Sequence, residues 1–364
     1  MSLKCAEKSM VLLKNDGVLP LDKNKLNSIA VIGPNAASVD ALIGNYSGTS
    51  CRNVTFLEGI ETELGDNVRV FYSEGCSLCS EKVEHLALPD DRLSEAVAMA
   101  KASDVSVLCL GFDASIEGEE GDEGNAFAGG DKLTLSLPVT QQRLLDAVCS
   151  VGKPVIVVLA TGSSVNVGDD RPAAILQAWY PGEAGGTALA NILFGKVSPS
   201  GKLPVTFYES ADRLPEFTDY SMAGRTYRYT SDNVLYPFGF GLTYSDLHAD
   251  SIRYERGKVY VTVQNSGARD TEDVLQLYIR DTESPFEVPR CKLCGFKRIR
   301  LGAGETMEFE MVPYRKAYTV VDDDGNRIPG SGKYRVWAGF CSPGEKGEQL
   351  CGHECKFIDI ERQQ

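Results

Sequence analysis

The sequence predicts an α/β sandwich domain with a mostly parallel sheet, followed by an all-β sandwich of immunoglobulin or fibronectin III-like type. Three observations carry this. In the first half, short apolar runs rich in β-branched residues alternate with stretches of helical apolar spacing, the pattern of a sheet covered on both faces. From about Leu247 the spacing changes to period-two alternation broken by turn residues, the pattern of a sandwich. Between them, Arg213 to Gly241 is loop-rich, with many aromatic, Pro and Gly residues. The expected organisation is a linker and lead-in helix over 1–27, the α/β domain over 28–212, a connecting segment over 213–246 and the β-sandwich over 247–364.

Ser28 to Gly33 is an apolar run ended by Gly-Pro-Asn, a buried strand entering a loop. Asn67 to Tyr72 reads as a strand and Leu93 to Lys101 as a helix. Asp104 to Gly111 is the next strand, and Gln141 to Cys149 the next helix. Pro154 to Ala160 is a β-branched strand, Ala173 to Ala178 another, and Gly185 to Phe194 a helix of small residues. In the second half, Lys258 to Val263, Val274 to Ile279, Thr306 to Met311 and Gly332 to Trp337 alternate as strands. Asn265-Ser266-Gly267, Gly302-Ala303-Gly304 and Asp324-Gly325-Asn326 supply the turns. In an open α/β sheet, ligands gather at the C-terminal ends of the strands.

The formal net charge is −14, which argues against nucleic acid and anionic membranes as partners, since nothing would neutralise phosphates. A neutral sugar is compatible with it. No apolar run approaches the length needed to span a bilayer. Met1-Ser2-Leu3 has the look of an added leader, which makes a cut-out of a longer parent the expectation. The 11 cysteines are an odd number, so at least one thiol stays unpaired within a monomer. Cys76/Cys79, Cys291/Cys294 and Cys351/Cys355 are close pairs, but they lack the convergent four-ligand spacing of zinc, so no metal is expected. Free thiols favour a reducing compartment, hence a cytoplasmic location. No G-x-G-x-x-G follows a strand, which excludes a dinucleotide, and no cofactor is expected.

The chemistry-bearing stretch follows the strand ending at Gly111. Asp113, Glu117, Glu119, Glu120, Asp122 and Glu123 put six carboxylates within eleven residues, between a buried strand and a helix start. Long loops at such positions are usually functional or disordered. Three uses stay open on the residues alone. The loop could be a solvated acidic surface, it could hold Ca²⁺ through several oxygens, or one Glu could be a general acid among crowded like charges. Trp179, beside Pro181-Gly182 after a strand end, is a candidate sugar-stacking aromatic, with packing under the loop as its plainer role.

Several segments together resemble glycoside hydrolase family 3. They are Ser9 to Leu21, Ala30-Val31-Ile32-Gly33-Pro34-Asn35-Ala36, Trp179 to Gly186, and Pro199-Ser200-Gly201-Lys202-Leu203-Pro204. Tyr227-Arg228-Tyr229, Tyr236 to Tyr244, Leu293 to Arg298 and Gly302 to Glu305 continue the resemblance almost to the end of the chain. Gly44-Asn45-Tyr46-Ser47-Gly48 and Thr55 to Ile60, with Gly75-Cys76, are most similar to the family's β-xylosidase branch, a frame shared with its β-glucosidases.

The resemblance implies the C-terminal portion of a retaining exo-β-glycosidase acting on a β-linked oligosaccharide or glycoside. It places the family's acid/base in the loop before Gly130-Asp131-Lys132, where Lys stands for the family's Arg. The closest motif match puts that role on Glu117, in Ser115-Ile116-Glu117-Gly118, with Glu119 and Glu120 as alternatives. It also implies a partner within the same parent chain, a (β/α)₈ barrel carrying the Asp nucleophile, because no barrel pattern occurs here. The competing expectation is a non-catalytic carbohydrate-binding or structural module built from the same folds.

Overall fold

The computed structural model describes residues 1–83, 87–88, 90–118, 132 and 134–362. The chain divides into two compact units, Met1–Gly201 and Lys202–Gln364.

The first unit is a six-stranded sheet flanked by helices. In chain order it runs α1 (Ser2–Ser9), β1 (Val11–Asn15), β2 (Ser28–Ile32), α2 (Phe56–Leu64), β3 (Arg69–Ser73), α3 (Asp91–Ala102), β4 (Val105–Gly111), α4 (Val139–Cys149), β5 (Val155–Ala160), β6 (Ala174–Gln177) and α5 (Gly185–Leu193). The strand order is β1-β6-β5-β4-β2-β3, with β2 to β6 parallel. Strands β2, β4 and β5 are buried at every position, which is why they read as unbroken apolar runs instead of alternating ones. Thr55 caps α2 by accepting the Glu58 amide, and Glu58 stands at the third helical position of a Thr-x-x-Glu capping pattern.

One element corrects the sequence reading. Val11–Asn15, expected to be linker, is a strand that pairs antiparallel with β6 along the sheet edge. Its first three residues are buried and its last two are half-buried, so it closes the sheet on that side.

The second unit opens with a two-stranded ladder of β7 (Phe207–Tyr208) and β8 (Val234–Tyr236), which brackets the short helix α6 (Thr226–Tyr229). Seven strands then form two facing sheets. Strands β9 (Leu247–Glu255), β10 (Lys258–Asn265) and β13 (Thr306–Met311) give a three-stranded sheet in the order β13-β10-β9. Strands β11 (Thr271–Asp281), β12 (Lys292–Leu301), β16 (Lys333–Gly339) and β17 (Lys356–Glu361) give a four-stranded one, β12-β11-β16-β17. A hairpin of β14 (Thr319–Val321) and β15 (Arg327–Pro329) turns through Asp324-Gly325-Asn326. Val259, Val261 and Val263 point inward from β10 and meet Leu275, Leu277 and Ile279 of β11 in the core. This is the sandwich that the alternation predicts.

Two details were not expected. Helix α7 (Glu345–Cys351) interrupts the all-β region before β17. Cys294 sits where the β11–β12 register shifts and is buried in the sandwich core, while Cys291 lies against the Tyr227 carbonyl. Among the described residues no helix is long and apolar enough to cross a membrane.

Candidate active site

The site forms where adjacent parallel strands end. Strand β4 stops at Gly111, which has φ +132°, and a Cβ there would lie 2.1 Å from the Ala160 carbonyl oxygen. Only glycine lets the end of β4 run this close to β5. From helix α4, the buried Gln141 side chain accepts from the Gly111 amide at 2.8 Å and donates to its carbonyl at 2.7 Å. The exit of β4 is thus fixed by a side chain acting as a ladder partner.

Beyond Gly111 the chain makes one turn. Asp113 Oδ1 accepts from the Ser115 amide and hydroxyl, and the Asp113 carbonyl accepts from the Ile116 and Glu117 amides at 3.0 and 2.9 Å. Ile116 is fully buried, so it plugs the turn into the core and leaves Glu117 facing the neighbouring strand ends.

Four donors converge on the Glu117 carboxylate. After β5, the Gly162 amide donates to Oε2 at 2.6 Å and the Ser163 hydroxyl donates to Oε1. After β6, the Tyr180 hydroxyl donates to Oε2 at 2.5 Å. The Lys132 ammonium, from the far end of the acidic loop, lies 3.4 Å from Oε1. The fit at Gly162 is close, since a Cβ would meet the Tyr180 ring at 3.0 Å and the Glu117 carboxylate at 3.3 Å and would press both aside. Lys132 also donates to the Ser164 carbonyl at 3.1 Å and lies 4.5 Å from the centre of the Phe112 ring. The Lys132 and Glu117 side chains are only 11% and 12% exposed. Asn35, at the end of β2, donates to the Phe112 carbonyl and extends the framework to a fourth strand.

The contacts define what this carboxyl can do. An ionised carboxylate only accepts hydrogen bonds, and every contact here is a donor. Burial and the nearby Glu117 charge push the Tyr180 phenol well above its ordinary value. Burial pushes the Lys132 ammonium down, and Glu117 opposes that shift.

A prediction follows for Tyr180. In Tyr180→Phe the ring packing stays and one hydrogen bond to a charged group is lost, at a cost of about 1.5–3 kcal/mol. Because the folded-state pKa is raised, the stabilisation is present below the free phenol value of about 10 and is lost as pH climbs through the folded value. Denaturant titrations should show wild type and variant converging above pH ~10. A gap that persists undiminished there would contradict this.

Of the residues marked by sequence, Glu117 lies at the centre of the cluster. Glu119 and Glu120 lie outside the described residues. Trp179 follows β6 with a left-handed φ of 61°, is half-buried, and donates its ring N–H to the Ser9 carbonyl at 2.9 Å. It stands next to Tyr180 in sequence but does not contribute to the four donors on Glu117. Sequence reasoning missed Gly162, Ser163, Tyr180 and Lys132 as ligands of one carboxylate. The signal for Tyr180 was its place in the Trp-Tyr-Pro-Gly segment. For Lys132 it was the Gly-Asp-Lys segment that closes the loop.

Comparisons with known proteins agree across the chain. A profile described as the glycosyl hydrolase family 3 C-terminal domain matches residues 10–244. One described as a fibronectin type III-like domain matches residues 273–342. A beta-xylosidase of Formosa agariphila is 34% identical over 363 residues, covering 94% of this chain and 48% of that protein. A periplasmic beta-glucosidase of Salmonella typhimurium is 35% identical over 338 residues, covering 82% of this chain and 43% of that protein. The chain therefore spans about half the length of the curated relatives it matches. Among solved structures, a family 3 exo-beta-xylosidase (XlnD) in complex with a xylobiose aziridine probe superposes with TM-score 0.83 at 26% identity, covering 100% of this chain and 48% of that one. The beta-glucosidase EmGH1 of Erythrobacter marinus superposes with TM-score 0.81 at 33% identity, covering 99% and 50%.

Proposed function

The chain belongs to glycoside hydrolase family 3, and on that footing we propose that it is the C-terminal portion of a retaining exo-β-glycosidase that removes terminal β-linked xylose or glucose. In this reading the chain supplies the general acid/base, and a (β/α)₈ barrel elsewhere in the parent supplies the carboxylate nucleophile. The two carboxyl groups of such an enzyme stand about 5–5.5 Å apart, so the acidic loop is the part of this chain that reaches the sugar.

One observation carries the reading. The Glu117 carboxylate of the acidic loop is fixed by donors from the ends of β5 and β6 and by the lysine that closes the loop. A loop with only a solubilising role has no use for a carboxylate held by four donors at a nearly buried point. The donors also favour a division of labour. Glu117, already accepting four donors, acts as the anchor of the loop. Glu119 or Glu120, which follow it in sequence, delivers the proton to the leaving oxygen and later activates water. This departs from the sequence expectation, which gave that role to Glu117 first.

A mechanism-based aziridine sugar probe tests the half-site arrangement. Ring opening joins the sugar covalently to the nucleophile. Peptide mapping of the labelled full-length parent should find the label outside these 364 residues, and the chain alone should remain unlabelled. A label on any carboxylate of this chain would overturn the proposal.

A further inference from the structure

We propose that Asp246, His248 and His353 form a binding site for a divalent borderline metal ion of the zinc class, in the second unit. The chain has three histidines, and two of them meet here. The rings of His248 and His353 stack at 4.3 Å between centres and 23° between planes. His353 Nε2 lies 2.6 Å from Asp246 Oδ1. One nitrogen from each ring and one carboxylate oxygen lie within 4.8 Å of one another.

The fold builds this convergence from separate places. Asp246 immediately precedes β9 and His248 is the second residue of that strand. His353 follows the left-handed Gly352 that ends α7, three residues before β17. Strands β9 and β17 are the end strands of the two facing sheets, so the cluster spans an open edge of the sandwich. Asp246 and His353 are 107 residues apart, which is why no spacing in the sequence announces the site.

Two further observations point to a ligand. His248 Nδ1 is buried with no hydrogen-bond partner among the described residues. A buried ring nitrogen left without a partner is costly, and a bound ion is one group that satisfies it. Second, the Ser266 hydroxyl donates to Asp246 Oδ2 at 2.5 Å, which fixes the carboxylate with Oδ1 turned toward His353. An outer hydrogen bond that orients a ligand in this way is usual at metal sites.

The donor set selects the metal class. Two imidazoles and one carboxylate suit zinc, and other first-row ions such as cobalt, better than calcium or magnesium, which prefer all-oxygen shells. Three protein ligands leave a position for water, and the half-exposed Asp246 and partly exposed His353 side chains leave a path for entry. At metal–ligand distances of about 2.0–2.2 Å, tetrahedral ligands stand about 3.4 Å apart, so His353 Nε2 and Asp246 Oδ1, now hydrogen-bonded at 2.6 Å, must separate slightly to admit the ion.

The test uses the full 364-residue chain, stripped with a chelator and titrated with Co²⁺. The expected result is one equivalent bound with visible d–d absorption and no thiolate-to-cobalt charge-transfer band, then displacement by Zn²⁺ and a rise in Tm. The band matters because the chain carries free cysteines that could bind the same ions. His353→Ala and Asp246→Asn should each weaken binding at least about tenfold. If His353→Ala does not fold, the near-isosteric Asp246→Asn carries the test alone. Absence of stoichiometric binding, a thiolate band on the bound cobalt, or wild-type affinity in the folded variants would overturn the site.

Discussion

In the full-length parent, replacing one of Glu119 and Glu120 with Ala is expected to slow hydrolysis of substrates with poor leaving groups by about 10²–10⁴-fold, the usual worth of general acid catalysis. An activated aryl glycoside needs little protonation, so formation of its glycosyl-enzyme should suffer much less. Hydrolysis of that intermediate then limits turnover, because the same residue must deprotonate water in the second step. Azide needs no base. It should therefore rescue that variant and yield the β-glycosyl azide, with retained configuration. The leaving-group series and the azide product can be read in the same assay. If neither variant at 119 or 120 behaves this way, and Glu117→Ala is rescued by azide instead, the four-donor anchor is itself the acid/base and the proposed division of roles is wrong.

How much of this was legible beforehand differs by element, for physical reasons. Strands β2, β4 and β5 were readable because burial on both faces forces unbroken apolar runs. Strand β10 was readable because burial on one face forces alternation. Strand β1 was not, since Lys14 and Asn15 are only half-buried at a sheet edge and the Asn-Asp-Gly turn and Pro20 follow at once. Its identity as a strand comes from pairing with β6, which local sequence does not encode. Helix α7 was hidden by its setting among strands, although Gly344 before it and Gly352 after it mark its ends.

The site divides in the same way. The acidic loop stood out by composition, and it begins where β4 ends. Its ligands did not stand out, because Ser163 and Tyr180 lie 46 and 63 residues beyond Glu117. They reach it only because β4, β5 and β6 are parallel neighbours whose C-terminal ends fall side by side. Adjacency of this kind is a property of strand order, and the sequence pattern establishes the strands without ordering them.

The Glu117–Lys132 pair gives the second large effect, and its sign follows from burial. Glu117→Gln keeps the shape but removes the charge. The amide oxygen can still accept from the Gly162 amide, but its NH₂ then faces Ser163 and the Lys132 ammonium, which is also a donor. Lys132 is left nearly buried without a counter-charge, and breaking such a pair from one side costs about 3–5 kcal/mol. Lys132→Met leaves the carboxylate unbalanced from the other side, although three neutral donors remain on it, so its loss should be the smaller of the two. The double variant buries neither charge. It should be more stable than the sum of the single losses implies, by a coupling of about 1–3 kcal/mol, measurable by denaturant titration of all four forms. Lys132→Arg should recover most of the stability, since it restores a cation at the same place. For activity, an anchoring role means that azide does not rescue Glu117→Gln in the parent and that kcat falls because the loop carrying the donor is displaced. Additive single losses would show that the pair does not close the loop. Rescue of Glu117→Gln by azide would return the proton to Glu117.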